Sequence, residues 1–258
     1  MSIQLSLNGL SFCIINLDNN TVVKADQLQY YQPIALSNLP KELLNFIDQH
    51  QLDRYNYQQI IVVHNNPWFS IVPNSLFDSN YIGDYLKYTT TVLADDTPAV
   101  DHLIDFNLHM VYIPFTHVNN ALLDRFSSFD FMHHGSVLIK NLYANQKKNG
   151  QDGVYAFIES HSMSLTIFKD QQLQLFNVFE INTTDELLYY LLFSLEQVQL
   201  DPENCTVALF GSVKEGNQQH TRIAEFIKNI NFFIPDSQLN FEETIKAKQI
   251  ELLSLIAE

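Results

Sequence analysis

The sequence predicts an α/β protein of two similar lobes, each a mixed sheet with three meandering strands plus α/β units. Three observations carry this. The order strand, strand, strand, helix, strand, helix reads along residues 3–88 and again along 154–234. Between the two runs, Asn145 to Gly153 holds no apolar residue and two glycines, the clearest boundary signal in the chain. With 258 residues, 46% of them hydrophobic, there is material for one or two cores. The expected division is a first lobe over 1–145, including an extra strand–helix–strand segment at about 90–145, and a second lobe over 146–258. We read the repeat as an internal duplication.

Each element has a local reason. Ile3, Leu5 and Leu7 alternate with Ser2, Gln4 and Ser6, and Phe12 to Ile15 continues as a buried strand. Asn8-Gly9 between them predicts a type I′ hairpin turn, which needs positive φ at both central residues. Asp18-Asn19-Asn20 turns the chain into a third strand over 21–31. Pro40 opens a helix with Leu43, Leu44 and Ile47 on one face. Gln59 to Val63 and Trp68 to Val72 read as strands, with a helix near 79–88. The polar run 89–98 reads as a connection. Asn107 to Ile113 is a strand, Thr116 caps a helix buried through Val118, Leu122 and Phe126, and Phe131 to Leu142 is mostly extended.

In the second half, Val154 to Ile158 and the alternation of Met163, Leu165 and Ile167 give two strands, with Asp170-Gln171 as the turn into a third through Leu173, Leu175 and Val178. Thr183-x-x-Glu186 matches a capping box ahead of a helix carrying Leu187, Leu188, Leu191, Leu192 and Leu195. Cys205 to Phe210 is a buried strand. A helix bearing Ile223, Ala224, Phe226, Ile227 and Ile230 follows, and Ile245, Leu252, Leu253 and Ile256 predict an amphipathic helix in the tail.

Charge and composition exclude several function classes. Fourteen Lys and Arg against 29 Asp and Glu give an acidic protein of formal charge −15. That argues against nucleic acid as a partner, since such affinity rests on neutralising phosphates. No apolar run reaches the ~20 residues of a membrane span. The opening residues lack a secretory pattern, and two cysteines cannot build a disulfide framework, so a cytoplasmic location is expected.

The twice-repeated order resembles the ribonuclease H-like fold in the doubled form of the actin-like ATPase superfamily. The opening LSLNGLSFCI and the overall layout also resemble an uncharacterised bacterial domain-of-unknown-function family with that fold. The superfamily resemblance implies two phosphate turns and one adenosine turn around an inter-lobe cleft. The first turn, patterned Asp-x-Gly-Thr-Thr, falls on Leu7-Asn8-Gly9-Leu10-Ser11. Glycine and hydroxyl are there, but Leu7 stands in place of the aspartate. The second, Asp-x-Gly-x-x-Thr, falls on Glu159-Ser160-His161-Ser162-Met163-Ser164, with an acid and no glycine. The adenosine turn falls on Phe210-Gly211-Ser212-Val213, with one glycine of two. The implied nucleotide-binding remnants are therefore Asn8, Gly9, Ser11, Glu159, Ser160, Gly211 and Ser212. Nucleotide hydrolysis needs carboxylates that hold Mg²⁺ and the attacking water, and Leu7 supplies none. A nuclease of this fold also starts from a first-strand aspartate, and no carboxylate precedes Asp18.

Other constellations read as structural. His133-His134 are adjacent, so on a strand they face apart, and the spacing of His102 and His109 near Asp101 and Asp105 matches no metal motif. Cys13 and Cys205 sit in or beside apolar strands, where thiols are inert. Trp68 reads as core. The expected function is a non-catalytic actin-like-fold scaffold or interaction protein, a pseudoenzyme with a degenerate nucleotide site and a protein partner. No catalytic residue, metal or cofactor is expected, ATP with Mg²⁺ being the one group the resemblance brings. The alternative is a nucleotide-binding protein or ATPase of the superfamily with an atypical inter-lobe site.

Overall fold

A computed structural model describes residues 1–93, 95–149, 152–233 and 239–241. Contacts divide the chain into two compact units, Met1–Val137 with the residues from Ser237, and Leu138–Asp236.

In the first unit β1 (Ser2–Ser6), β2 (Gly9–Asn16) and β3 (Thr21–Gln29) form an antiparallel meander. Helix α1 (Leu39–His50) follows, with Pro40 in its first turn and Gln51 in the left-handed region at its end. Its stripe Leu39, Leu43, Phe46 and Ile47 is buried against Ile3, Leu5, Phe12 and Val62. Each such side chain contributes about 1.5–3 kcal/mol through burial, so Leu43→Ala would cost about 2–5 kcal/mol. The chain then enters β4 (Ile61–His64), parallel to β1. An insertion follows: β5 (Phe69–Pro73), a 3₁₀ segment at Ser79–Leu86, β6 (Ala99–Leu103), β7 (Leu108–Tyr112) and α2 (Thr116–Leu123). Its strands make a separate antiparallel sheet ordered β5-β7-β6. The chain returns as β8 (Asp130–His133), parallel to β4.

Helix α3 (His134–Asn149) begins in the first unit and continues in the second. There β9 (Gly153–Ile158), β10 (Ser162–Lys169) and β11 (Gln172–Glu180) form another antiparallel meander. Helix α4 (Thr184–Gln197) leads to β12 (Thr206–Gly211), parallel to β9, and α5 (Gln218–Ala224) to β13 (Asn229–Phe232), parallel to β12. The core joins Met163, Leu165 and Ile167 to Leu187, Leu191 and Leu195. The capping box forms as the sequence predicts: Glu186 N–H donates to the Thr183 hydroxyl, and Thr183 N–H to the Glu186 carboxylate. Strand β14 (Asn240–Phe241) pairs with Thr21 and Val22 of β3.

The main sheets are thus ordered β14-β3-β2-β1-β4-β8 and β11-β10-β9-β12-β13, and their common five strands run in matching directions. The two-lobe α/β architecture is the one the sequence predicts. Several details differ. The first hairpin turns at Leu7-Asn8, and neither they nor Gly9 has positive φ. The type I′ signature falls at Asp170 and Gln171 instead, with φ of 52° and 59° and no glycine. Residues 134–149 are helical, where an extended run to Leu142 was expected, because a β-branched sequence also suits a helix buried against a sheet. The 79–88 helix is a 3₁₀ segment interrupted at Tyr81. Thr116 is inside α2, and its hydroxyl donates to Pro114 C=O instead of capping. Ile230 lies in β13, not in a helix. The compact units part at 137/138, against 145/146 from the sequence. The insertion opens at Phe69, and β14 pairs with β3 of the first unit. The expected tail helix lies outside the described residues.

Candidate functional site

The residues matching the first phosphate turn run from the β1–β2 turn into β2; the Asn8 and Gly9 N–H groups are engaged within the chain, whereas Asn8 Oδ1 is buried without a hydrogen-bond partner. The Ser6 hydroxyl accepts the N–H groups of Asn8 and Gly9, each at 3.1 Å, and donates to Gly9 C=O. Tyr30 N–H donates to Asn8 C=O and Ile34 N–H to Leu7 C=O, both at 2.9 Å. Leu7, in the acid position, packs against the core. A Cβ on Gly9 would lie 2.5 Å from Leu28 C=O, so the glycine admits β3, the chain's own backbone. Ser11 lies in the sheet opposite Gln4 and Gln27.

The other remnants gather in the second unit, at the neighbouring ends of β9 and β12, where Ile158 pairs with Gly211. Glu159 N–H donates to Ser162 C=O at 2.8 Å, and the Ser162 hydroxyl to the Glu159 carboxylate at 3.0 Å. Ser160 follows in the same turn. Ser212 donates through both N–H and hydroxyl to Ile158 C=O, at 2.7 and 3.0 Å. Gly211 has φ +95°, and a Cβ there would collide with Ile158 C=O. Only glycine fits this close approach of strand to strand. The structure therefore brings Glu159, Ser160, Gly211 and Ser212 together, and places Asn8, Gly9 and Ser11 in the other compact unit.

Sequence reasoning missed a buried polar cluster at the ends of β4 and β8. His64, His133 and His134 are fully buried. His133 Nδ1 accepts Gly135 N–H at 3.0 Å and Nε2 lies 2.9 Å from Asn66 C=O, so the proton resides on Nε2. His64 Nδ1 accepts Phe115 N–H at 3.1 Å, and His134 Nδ1 lies 3.3 Å from Gln4 Oε1. Burial lowers all three pKa values, His133 to about 4 and the other two to about 3. They are neutral; the His64 ring ties β4 to Phe115 of the insertion, the His133 ring ties β8 to Asn66 after β4, and His134 faces Gln4 of β1. Asp101 belongs to this network, accepting His133 N–H at 2.8 Å and the Tyr112 hydroxyl at 3.2 Å. The signal was the triplet His64-Asn65-Asn66 directly after an apolar strand.

Elsewhere, His102 and His109 face each other through Nδ1 at 3.0 Å, and Asn74 Oδ1 accepts from His109 Nε2 at 2.7 Å. Burial, and then His102, lowers the His109 pKa. Among the described residues no group of three or more His, Cys, Asp or Glu side chains could hold a metal ion. Burial pushes the Cys13 thiol up to about 12, and raises that of half-buried Cys205. Trp68 packs edge-on against Phe115 as a core residue. At the far end of β2 from the hairpin turn, a cavity of about 310 Å³ lies between Ile14–Asp18 and Tyr55–Gln59, without a Lys, Arg or His side chain in its lining. No described helix is long and apolar enough to cross a membrane.

Comparison with known proteins places this arrangement. A profile for proteins of unknown function, DUF3822, matches residues 1–230. The chain belongs to the DUF3822 family. Among solved structures, it is similar to a Bacteroides thetaiotaomicron protein with an actin-like ATPase fold and unknown function, with TM-score 0.79 and 19% identity over 100% of this chain and 95% of that one. It is also similar to a chain of the PilM-PilN type IV pilus biogenesis complex, with TM-score 0.65 and 11% identity over 98% and 97%. No curated protein matches. This DUF3822 member has the actin-like ATPase fold, as the sequence resemblance implied, and its function is unknown.

Proposed function

We propose that this DUF3822 protein is a non-catalytic scaffold or interaction protein, in which an internal duplication has kept the actin-like fold while its phosphate turns have become structural. The carrying observation is the first hairpin: the Asn8 and Gly9 N–H groups that would face a phosphate donate to Ser6, and a leucine occupies the acid position. The glycines of both units accommodate the chain's own carbonyls, Leu28 for Gly9 and Ile158 for Gly211. These residues do not fit ATP with Mg²⁺. The PilM-like neighbour, a member of a protein complex, supports a protein partner, and the two thiols support a cytoplasmic setting. Thermal unfolding with millimolar Mg·ATP tests the reading. An unchanged Tm is expected, whereas a ligand at 100 times its Kd would add about 2.7 kcal/mol. A clear rise would favour the nucleotide-binding alternative and overturn the scaffold.

A further inference from the structure

Edge strands expose backbone N–H and C=O groups that can template pairing with another chain, and proteins guard them with charge, proline, shortness or cover. In this structure most edges carry such guards. β3 contains Lys24 and Asp26 and is partly covered by β14. β5 ends in Pro73, and β6 contains Asp101. β8 and β13 have four residues each. β11 is the exception. It has nine residues, no charge from Gln172 to Phe179, and a regular run from Leu175 to Glu180 beyond its irregularity opposite Ile167/Phe168.

A second feature adjoins it. Phe179 of β11 stacks on Tyr190 of α4 at 4.6 Å, Tyr190 meets Tyr189 at 5.4 Å, and Tyr189 stacks on Phe193 at 5.9 Å. Tyr189 is 60% exposed and Phe193 45%, so the rings form a platform that reaches from the edge strand into solvent. The whole stretch 172–197 contains Glu180, Asp185, Glu186 and Glu196, and no Lys, Arg or His. Asp185 is paired with Arg222 and Glu186 serves the capping box, which leaves Glu180 at the end of β11 and Glu196 near the end of α4 as the exposed carboxylates of this stretch.

We infer that β11 and the Phe179–Tyr190–Tyr189–Phe193 platform form a docking site for an extended, positively charged segment of a partner protein, added as a further strand beside β11. Main-chain bonds along Leu175–Glu180 would hold it, and alternate side chains would fall on the α4 face. Lysine or arginine there would lie over aromatic faces, on a stretch that carries carboxylates and no cation of its own. A second copy of this chain suits the site less, because each copy carries −15. The inference names the partner class of the scaffold reading and rests on it only for the expectation of a protein partner.

The test is fluorescence anisotropy of the full chain with a labelled octapeptide of alternating valine and lysine, against the same peptide with glutamate for lysine. The basic peptide is expected to bind at least about ten-fold more tightly, with affinity falling as salt rises. Val178→Pro should abolish binding with little change in Tm, because it removes an N–H that donates to the Asn177 side chain at 2.9 Å in the free chain and would turn to the docked strand. Should that variant not fold, Tyr189→Ala with Phe193→Ala, both exposed, is expected to weaken binding about ten-fold. Absence of binding, equal affinity for the two peptides, or binding undiminished in these variants overturns the inference. So does dimerisation of the wild type that Val178→Pro reverses, which would make a second copy the occupant. A Tm rise with Mg·ATP would remove the non-catalytic reading and leave this site standing.

Discussion

The same strand position has opposite chemistry in the two units. In the first, β4 ends at His64, opposite Leu5, and beside β8 it closes a buried histidine–asparagine network. In the second, β12 ends at Gly211, opposite Ile158, and the gap closes by backbone approach alone. One topology thus tolerates either a hydrogen-bonded imidazole cluster or a glycine at its strand ends, so neither is demanded by the fold. Acid sensitivity belongs to the first unit, and a positive-φ glycine pressed against a carbonyl at this strand end belongs to the second.

The largest expected effect separates the units by pH. The buried imidazoles have folded pKa values of about 3 to 4, below the ordinary 6.5 they regain on unfolding. Folded histidines stay neutral while unfolded ones take up protons, so stability is full above pH ~6.5 and falls as the pH drops toward 4. Between about pH 7.5 and pH 5 each should cost about 2 kcal/mol. Urea unfolding followed by hydrogen exchange should show amides of β4 and β8 losing protection first. Equal loss in β9 and β12 would break the comparison. Next in size, Gly211→Val should cost about 2–4 kcal/mol, as a left-handed backbone is combined with a clash on Ile158, and Gly9→Val about 1–3 kcal/mol without the φ penalty. Chemical denaturation of the two variants ranks them, and the reverse order would be wrong for this account. Ser6→Ala removes the acceptor of two backbone N–H groups, with an expected loss of about 1–2 kcal/mol. Thr183→Ala should cost about 1 kcal/mol through the α4 cap, read from the same curves.

What the sequence made legible was the periodicity. The meanders, α1 and α4 with its capping box follow from local pattern, and with them the doubled sheet order. The rest depended on long-range structure. Val137, Leu138 and Ile139 suit a strand as well as a helix, and only packing on Val63 and its neighbours decides. The Asn8-Gly9 signal failed because Ser6 satisfies the turn's N–H groups and moves it one residue earlier. Asp170-Gln171 adopts positive φ without glycine where β10 and β11 close directly on the turn through Lys169–Gln172 and Phe168–Leu173. The degenerate turns are located by position, where the resemblance implies a phosphate turn for Gly9 and an adenosine turn for Gly211. Each proves to admit a carbonyl from a distant strand, which no local pattern encodes. The histidine cluster leaves only the His64-Asn65-Asn66 triplet as a local signal, because Asn66, Asp101 and His133 are far apart in the chain.

Cys13 offers one more consequence. Its sulfur lies on the central hairpin strand of the first unit, with no exposed surface and a thiol held at about 12. A sulfhydryl reagent can reach it only when that sheet opens, so the labelling rate reads the opening equilibrium directly. The protein thereby carries its own clock for the acid-sensitive half, with Cys205 as an internal reference in the other.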